Sequence, residues 1–220
     1  MDNITVTDVD WRSITDNELT WLLQGLTSFV RRLDLGSNSL TQIPALTQYR
    51  EMETLQKLYL YNNQIQTLVW DNVPTQVWYL SLGNNRLQSL PVLGQAQRCL
   101  QVRELRLNGN NIQLLQPENL PVTVEVLHIS GNRLTEVGDI SQLPLKVLSL
   151  HNNNLRELNG QYLPPSLEEL WLHGNPLSGT VDLTHLVNLT ELGVSPSDCQ
   201  QYRQMLPSVN VYKTYYSRCL

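Results

Sequence analysis

The chain has 220 residues, 41% of them hydrophobic and 16% charged, with a formal net charge of −5 at pH 7. That length holds one sizeable core or one elongated array. The acidic balance sets nucleic acid and anionic membrane aside as expected partners, because both need a clustered basic footprint.

Met1–Asp8 has neither the basic stretch nor the apolar run of a cleaved secretory signal, and no later apolar run reaches the length of a membrane span. Cytoplasmic residence is the expectation, with export to a host cell without a cleaved signal as the alternative. Cys99, Cys199 and Cys219 are an odd, sparse set without CxxC spacing. Cys199 and Cys219 are candidates for a pair, but free thiols in a reducing compartment are the expectation.

Residues 1–29 are assigned to an N-terminal cap. Thr15-Asp-Asn-Glu18 is a capping-box pattern that opens a helix. Leu19, Leu22, Leu23 and Leu26 follow as one apolar stripe at helical spacing, with Trp11, Trp21 and Phe29 nearby.

From Val30 to Val194 one register recurs: apolar, x, x, apolar, x, apolar, x, x, Asn, x, apolar. Its starts at Val30, Leu55, Val77, Val102, Val124, Leu145, Leu167 and Leu189 lie 25, 22, 25, 22, 21, 22 and 22 residues apart. The Asn column runs Asn38, Asn63, Asn85, Asn110, Asn132, Asn153 and Asn175, and the degraded eighth repeat has Ser197 there. The x-apolar-x-apolar core of each unit is a short strand with one buried face. Such units bury their leucines only against neighbours, so the array is a solenoid with one parallel sheet along its inner curve. The Asn column is read as structural, because a side-chain amide satisfies backbone groups stranded at the turn after each strand. Return segments carry Pro44, Pro74, Pro91, Pro121, Pro144, Pro164 and Pro165, which suit 3₁₀ turns or extended chain and predict a thin convex side. The two longer spacings allow an extra turn at Tyr49–Glu53 and at Gly94–Gln97. Residues 195–220 are assigned to a C-terminal cap and tail, with a short helix through Met205.

These motifs are similar to the leucine-rich-repeat superfamily over nearly the whole chain. The resemblance implies an α/β fold with a concave parallel sheet and a protein-binding role. Pro74-Thr-Gln-Val77, Pro121-Val-Thr-Val124 and Pro164-Pro-Ser-Leu167 resemble the short repeats of bacterial host-directed effectors. Tyr202-Arg203-Gln-Met205-Leu206-Pro207 resembles the cap of the intracellular phosphatase-regulator type, which binds a catalytic subunit on its concave face. The ubiquitin-ligase activity of some effectors is not carried over, since Asp198-Cys199 reverses the order of their Cys-x-Asp nucleophile.

The register also sorts the outward strand positions into columns. Tyr59, Tyr61, Trp78, Tyr79 and Trp171 are expected to face outward, and such aromatics are enriched at binding hot spots. Arg31, Arg32, Lys57, Arg103 and Arg106 favour the first half, whereas Glu168, Glu169 and Glu191 sit at the far end. His151 and His173 share a column on adjacent strands, with His128 diagonal to His151. The candidate partner-binding set is Tyr59, Tyr61, Trp78, Tyr79, Arg103, Arg106, His128, His151, Trp171 and His173. No GxSxG, phosphate-binding loop, HExxH or dinucleotide fingerprint occurs. The expectation is a monomeric, non-enzymatic module that holds another protein on its concave face, without cofactor or metal. The alternative is a metal-dependent or other enzyme using the concave histidines, with Glu169 the one carboxylate able to approach them.

Overall fold

The computed structural model describes residues 6–94, 100–214 and 217–219. The Gly94–Gln97 turn, Cys99, Tyr215 and Tyr216 fall wholly or largely outside these residues. In chain order the elements are β1 (Val6–Asp10), α1 (Asp16–Gln24), β2 (Phe29–Asp34), β3 (Lys57–Tyr59), β4 (Tyr79–Ser81), β5 (Glu104–Arg106), β6 (Leu114–Leu115) and β7 (Val126–His128). They continue with β8 (Glu136–Val137), β9 (Val147–Ser149), β10 (Glu169–Trp171), β11 (Glu191–Gly193), α2 (Cys199–Met205), β12 (Asn210–Thr214) and β13 (Ser217–Arg218).

Among the described residues, eleven strands make one sheet in the order β1-β2-β3-β4-β5-β7-β9-β10-β11-β12-β13. Every pair from β1 to β12 is parallel, and β13 turns back antiparallel to β12. One row of residues crosses eight repeats in register: Leu33, Leu58, Leu80, Leu105, Leu127, Leu148, Leu170 and Leu192, with Val211 continuing it on β12. All nine are buried. This is a leucine-rich-repeat solenoid. Its convex side is thin, built from single 3₁₀ turns such as Trp70–Asn72, Pro117–Asn119 and Gly160–Tyr162, and from the small β6–β8 ladder. The Tyr49–Glu53 insertion holds the 3₁₀ turn Arg50–Met52, which buries Met52.

The asparagine column closes each turn. Asn110 donates through Nδ2 to Leu82 O of the preceding repeat and to Leu107 O of its own, both at 2.9 Å, and its Oδ1 accepts from Leu87 N at 2.9 Å. Asn63, Asn85, Asn132, Asn153 and Asn175 repeat the pattern, and Asn38 does so against Trp11 O and Ile14 N of the N-terminal segment. Immediately before each Asn the backbone enters the left-handed region, at Ser37, Asn62, Asn84, Gly109, Gly131, Asn152 and Gly174. Glycine and asparagine visit that conformation most readily, which accounts for this second column in every repeat but the first, where Ser37 stands.

Both ends carry more structure than the sequence suggests. β1 adds a parallel strand ahead of β2, outside any repeat. Thr15 opens α1 as the capping box requires, its backbone N–H and hydroxyl each 2.8 Å from Glu18 Oε2, and Leu19 and Leu23 are buried. At the other end α2 buries Tyr202, whose hydroxyl accepts from Val181 N at 2.9 Å. The free-thiol expectation is corrected here: Cys199 and Cys219 form a disulfide, with Cα atoms 5.7 Å apart. The β12–β13 hairpin returns the chain to α2 and so brings together two cysteines that are twenty residues apart.

Leu107 is fully buried at mid-array. Leu107→Ala is expected to lower stability by about 2–5 kcal/mol. Urea unfolding checks this, and a loss below about half a kcal/mol would show that the side chain is not core.

Candidate functional site

Four aromatic side chains of the concave face meet in a continuous patch. Tyr59 on β3 and Tyr79 on β4 have ring centroids 4.8 Å apart. Tyr61 meets Tyr59 edge-on at 6.4 Å, and Trp78 meets Tyr79 edge-on at 6.1 Å. All four are half-buried, and none enters the leucine core. Tyr61 lies flat over Gly36 of the preceding repeat, where a Cβ would collide with its ring.

Cations cover these rings. Arg32 lies 4.6 Å from the Tyr59 centroid, Lys57 Nζ 4.8 Å from that of Trp78, and Arg106 5.7 Å from that of Tyr79. Arg32, Tyr59, Tyr79 and Arg106 thus form a row across β2 to β5. Each cation–π contact contributes about 0.5–1 kcal/mol at an exposed site. Ion pairs pin the ends of the row: Arg32 to the buried Asp34 at 2.6 Å and Arg106 to Glu104 at 2.8 Å. Asp34 also meets Arg12 at 3.3 Å and accepts from Gly36 N at 3.0 Å, so this outward strand position is buried.

Beside Trp78, on the side of β5 and β7, opens a cleft of 510 Å³ lined by Gln76, Trp78, Gln101, Arg103, Glu125 and Val126, among others. Arg103, expected as rim, is exposed at its mouth. The cleft draws on three repeats. It could be found in the sequence only by reading Trp78, Arg103 and Glu125 down one column.

The far half differs. Trp171 is corrected from an outward contact to a buried residue, 3% exposed. It lies over Gly193, and Tyr212 of β12 covers it at 5.5 Å between centroids. Tyr212 stands beyond the last repeat, so no repeat column announces it. His151 and His173 stack at 4.6 Å with an interplanar angle of 13°. Ser149 Oγ lies 2.8 Å from His151 Nδ1. Ring-nitrogen lone pairs lie in the ring planes, so stacked rings aim them side by side rather than at a shared ion. Among the described residues no group of three His, Cys, Asp or Glu is placed to hold a metal.

Burial, with help from His173 and His128, lowers the pKa of His151 to about 4. Burial also lowers those of His128, which in addition feels Arg106, and of His173. The far half therefore holds neutral imidazoles at neutral pH.

Residues 166–189, which cover the whole repeat that starts at Leu167, match the family model of the leucine-rich repeat. Among solved structures, the leucine-rich repeat domain of APL1B is similar, with a TM-score of 0.60 and 24% identity over 76% of this chain. This chain spans 49% of that one, and the likeness concerns the fold alone. No curated protein matches the sequence. The chain thus has the leucine-rich-repeat fold, and one stretch of it matches the family's own model.

The histidines yield a test. An unfolded histidine titrates near 6.5, whereas His151 takes its proton in the folded state only at about 4. Stability contributed by the neutral ring is complete above pH 6.5 and is lost as pH falls toward about 4. The urea midpoint is expected to drop across that window, and His151→Asn to flatten part of the drop. A histidine proton resonance titrating near 6.5 for His151 would contradict the assignment.

Proposed function

We propose that the protein is a monomeric interaction module that binds another protein on its concave face, with the aromatic patch as the energetic centre. The observation that carries this reading is the contiguous set Tyr61, Tyr59, Tyr79 and Trp78, held open on a rigid parallel sheet with cations over the rings. Rigid aromatics lose little side-chain entropy on binding, so their contacts retain more of their gross energy than flexible lysines or glutamines would. Arg103 and Arg106 flank the patch as rim contacts. His128, His151 and His173 extend the contact surface toward the far half as neutral polar groups. Trp171 supports that surface from beneath.

Nothing in the charge balance favours nucleic acid, and no helix of the described residues is long and apolar enough to cross a membrane. Of the expected roles, host-directed effector and regulatory subunit, both are forms of such a module. The pairing of Cys199 with Cys219 favours a protein that meets an oxidising compartment. It therefore supports residence in an oxidising compartment over residence in a reducing cytoplasm. Peptide mapping of unreduced protein purified from its native source is expected to recover the Cys199–Cys219 cross-linked peptide, and fully alkylated cysteines there would return the protein to a reducing compartment.

Once a partner has been captured, calorimetry with Tyr59→Ala/Trp78→Ala tests the reading. A loss of about 2 kcal/mol or more, roughly thirtyfold in affinity, is expected. The thermal midpoint should stay near that of the wild type, since neither ring enters the core. Undiminished affinity in the folded double variant would move the binding site off this face.

A further inference from the structure

The concave face carries charge that its own ion pairs leave over. In the first half Arg32 and Arg106 are tied to Asp34 and Glu104. Lys57 and Arg31 form no ion pair among the described residues. Arg103 reaches Glu125 only at 3.8 Å, and Lys146 holds the same carboxylate at 2.9 Å. In the second half Glu168, Glu169 and Glu191 form no ion pair among the described residues. The surplus is therefore positive on β2 to β5 and negative on β10 and β11.

Trp78 stands between two of the surplus cations. Lys57, from the preceding strand, covers its ring at 4.8 Å. Arg103, from the following strand, borders the 510 Å³ cleft that opens on its other side. That volume falls within the range of about 300–1,000 Å³ typical of clefts that enclose a ligand group. Trp78 and Val126 supply apolar wall, Gln76 and Gln101 supply amides, and the carboxylates of Glu104 and Glu125, which also line it, are held by Arg106 at 2.8 Å and Lys146 at 2.9 Å.

Resting on the proposed concave-face binding, we propose that the partner presents an acidic segment bearing a large apolar side chain. The apolar group fills the cleft beside Trp78, and flanking carboxylates meet Lys57 and Arg103. A polyanion such as a nucleic acid suits this face poorly, because its charge would continue onto Glu168, Glu169 and Glu191. A short acidic stretch ends before them, and a basic flank would complement them. Complementarity of this kind fixes the direction in which a segment lies and makes association salt-sensitive.

The test uses three acetylated, amidated twelve-residue peptides: glutamates and aspartates around one phenylalanine, the same peptide with alanine for phenylalanine, and a lysine counterpart that keeps the phenylalanine. Each carries a fluorescent label, and binding to the intact protein is read by anisotropy. The acidic phenylalanine peptide is expected to bind. Its affinity should fall about tenfold in Lys57→Glu/Arg103→Glu and by a smaller factor in the gentler Lys57→Gln/Arg103→Gln. It should also weaken with added salt. Both substituted side chains lie outside the core, and thermal melts establish that the variants fold. The proposal is overturned if the acidic phenylalanine peptide does not bind, if the lysine or alanine peptide binds equally well, or if the charge reversals leave affinity unchanged. It is also overturned if sedimentation shows a dimer that those reversals dissolve, since a second copy would then occupy the face. Loss of partner binding in Tyr59→Ala/Trp78→Ala, with none in the charge reversals, would sink this inference and leave the concave-face reading standing.

Discussion

A side-chain amide that bonds three backbone groups in two neighbouring repeats sets the geometry on which the remaining structure depends. Asn110 reaches Leu82 O, Leu107 O and Leu87 N, and the same triangle recurs along the array. Each triangle satisfies groups that the turn strips of ladder partners, and leaving one such buried group unmet costs about 1–3 kcal/mol. The bonds cross between repeats, so they also set the offset of each repeat on the last. The left-handed residue before each Asn turns the chain into the return segment at the same point every time. Where the column ends at Ser197, other devices take over: the Tyr202 hydroxyl on Val181 N and the Cys199–Cys219 disulfide.

A fixed offset turns sequence columns into spatial rows. Neighbouring strands stand about 4.8 Å apart, which is the centroid separation of Tyr59 and Tyr79 and close to that of His151 and His173. The histidines, in one column on adjacent strands, stack because the backbone spacing already matches a ring-to-ring contact, whereas Tyr59 and Tyr79 lie diagonally, opposite Ser81 and Lys57, and their rings meet tilted at 39°. Gly36 adds a vacancy in one row, and Tyr61 lies down into it. The aromatic patch therefore takes its shape from the asparagine ladder before any ligand is present.

Whatever recurs was legible in the sequence. The buried leucine row, the Asn column and the thin convex side each repeat at 21 to 25 residues, and the capping box at Thr15 is a local signal complete in four residues. What occurs once was not. β1 pairs with β2 without any repeat signature. Trp171 occupies an outward column position, yet Tyr212 covers it from a strand added after the last repeat. The disulfide depends on a hairpin whose return path no spacing rule gives. The second column, of Ser, Asn and Gly, was present in every full repeat, and its meaning emerged only with the backbone angles.

The two halves of the concave face differ in how they treat charge. In the first half cations lie over aromatic faces, where the ring quadrupole offsets part of the hydration they give up. In the second half the polar groups nearest the sheet are imidazoles packed against each other and against Trp171. There burial, with the neighbouring imidazoles of His173 and His128, expels the proton, and His151 falls to about 4. If these histidines kept their ordinary affinity for protons, they would carry part of a positive charge near neutrality on the same half of the face as Glu169 and Glu191. Their neutrality leaves those carboxylates as the charge of the far half. The two halves thus share one strand spacing but differ in what it brings together: cations over aromatic rings at one end, and stacked neutral imidazoles at the other.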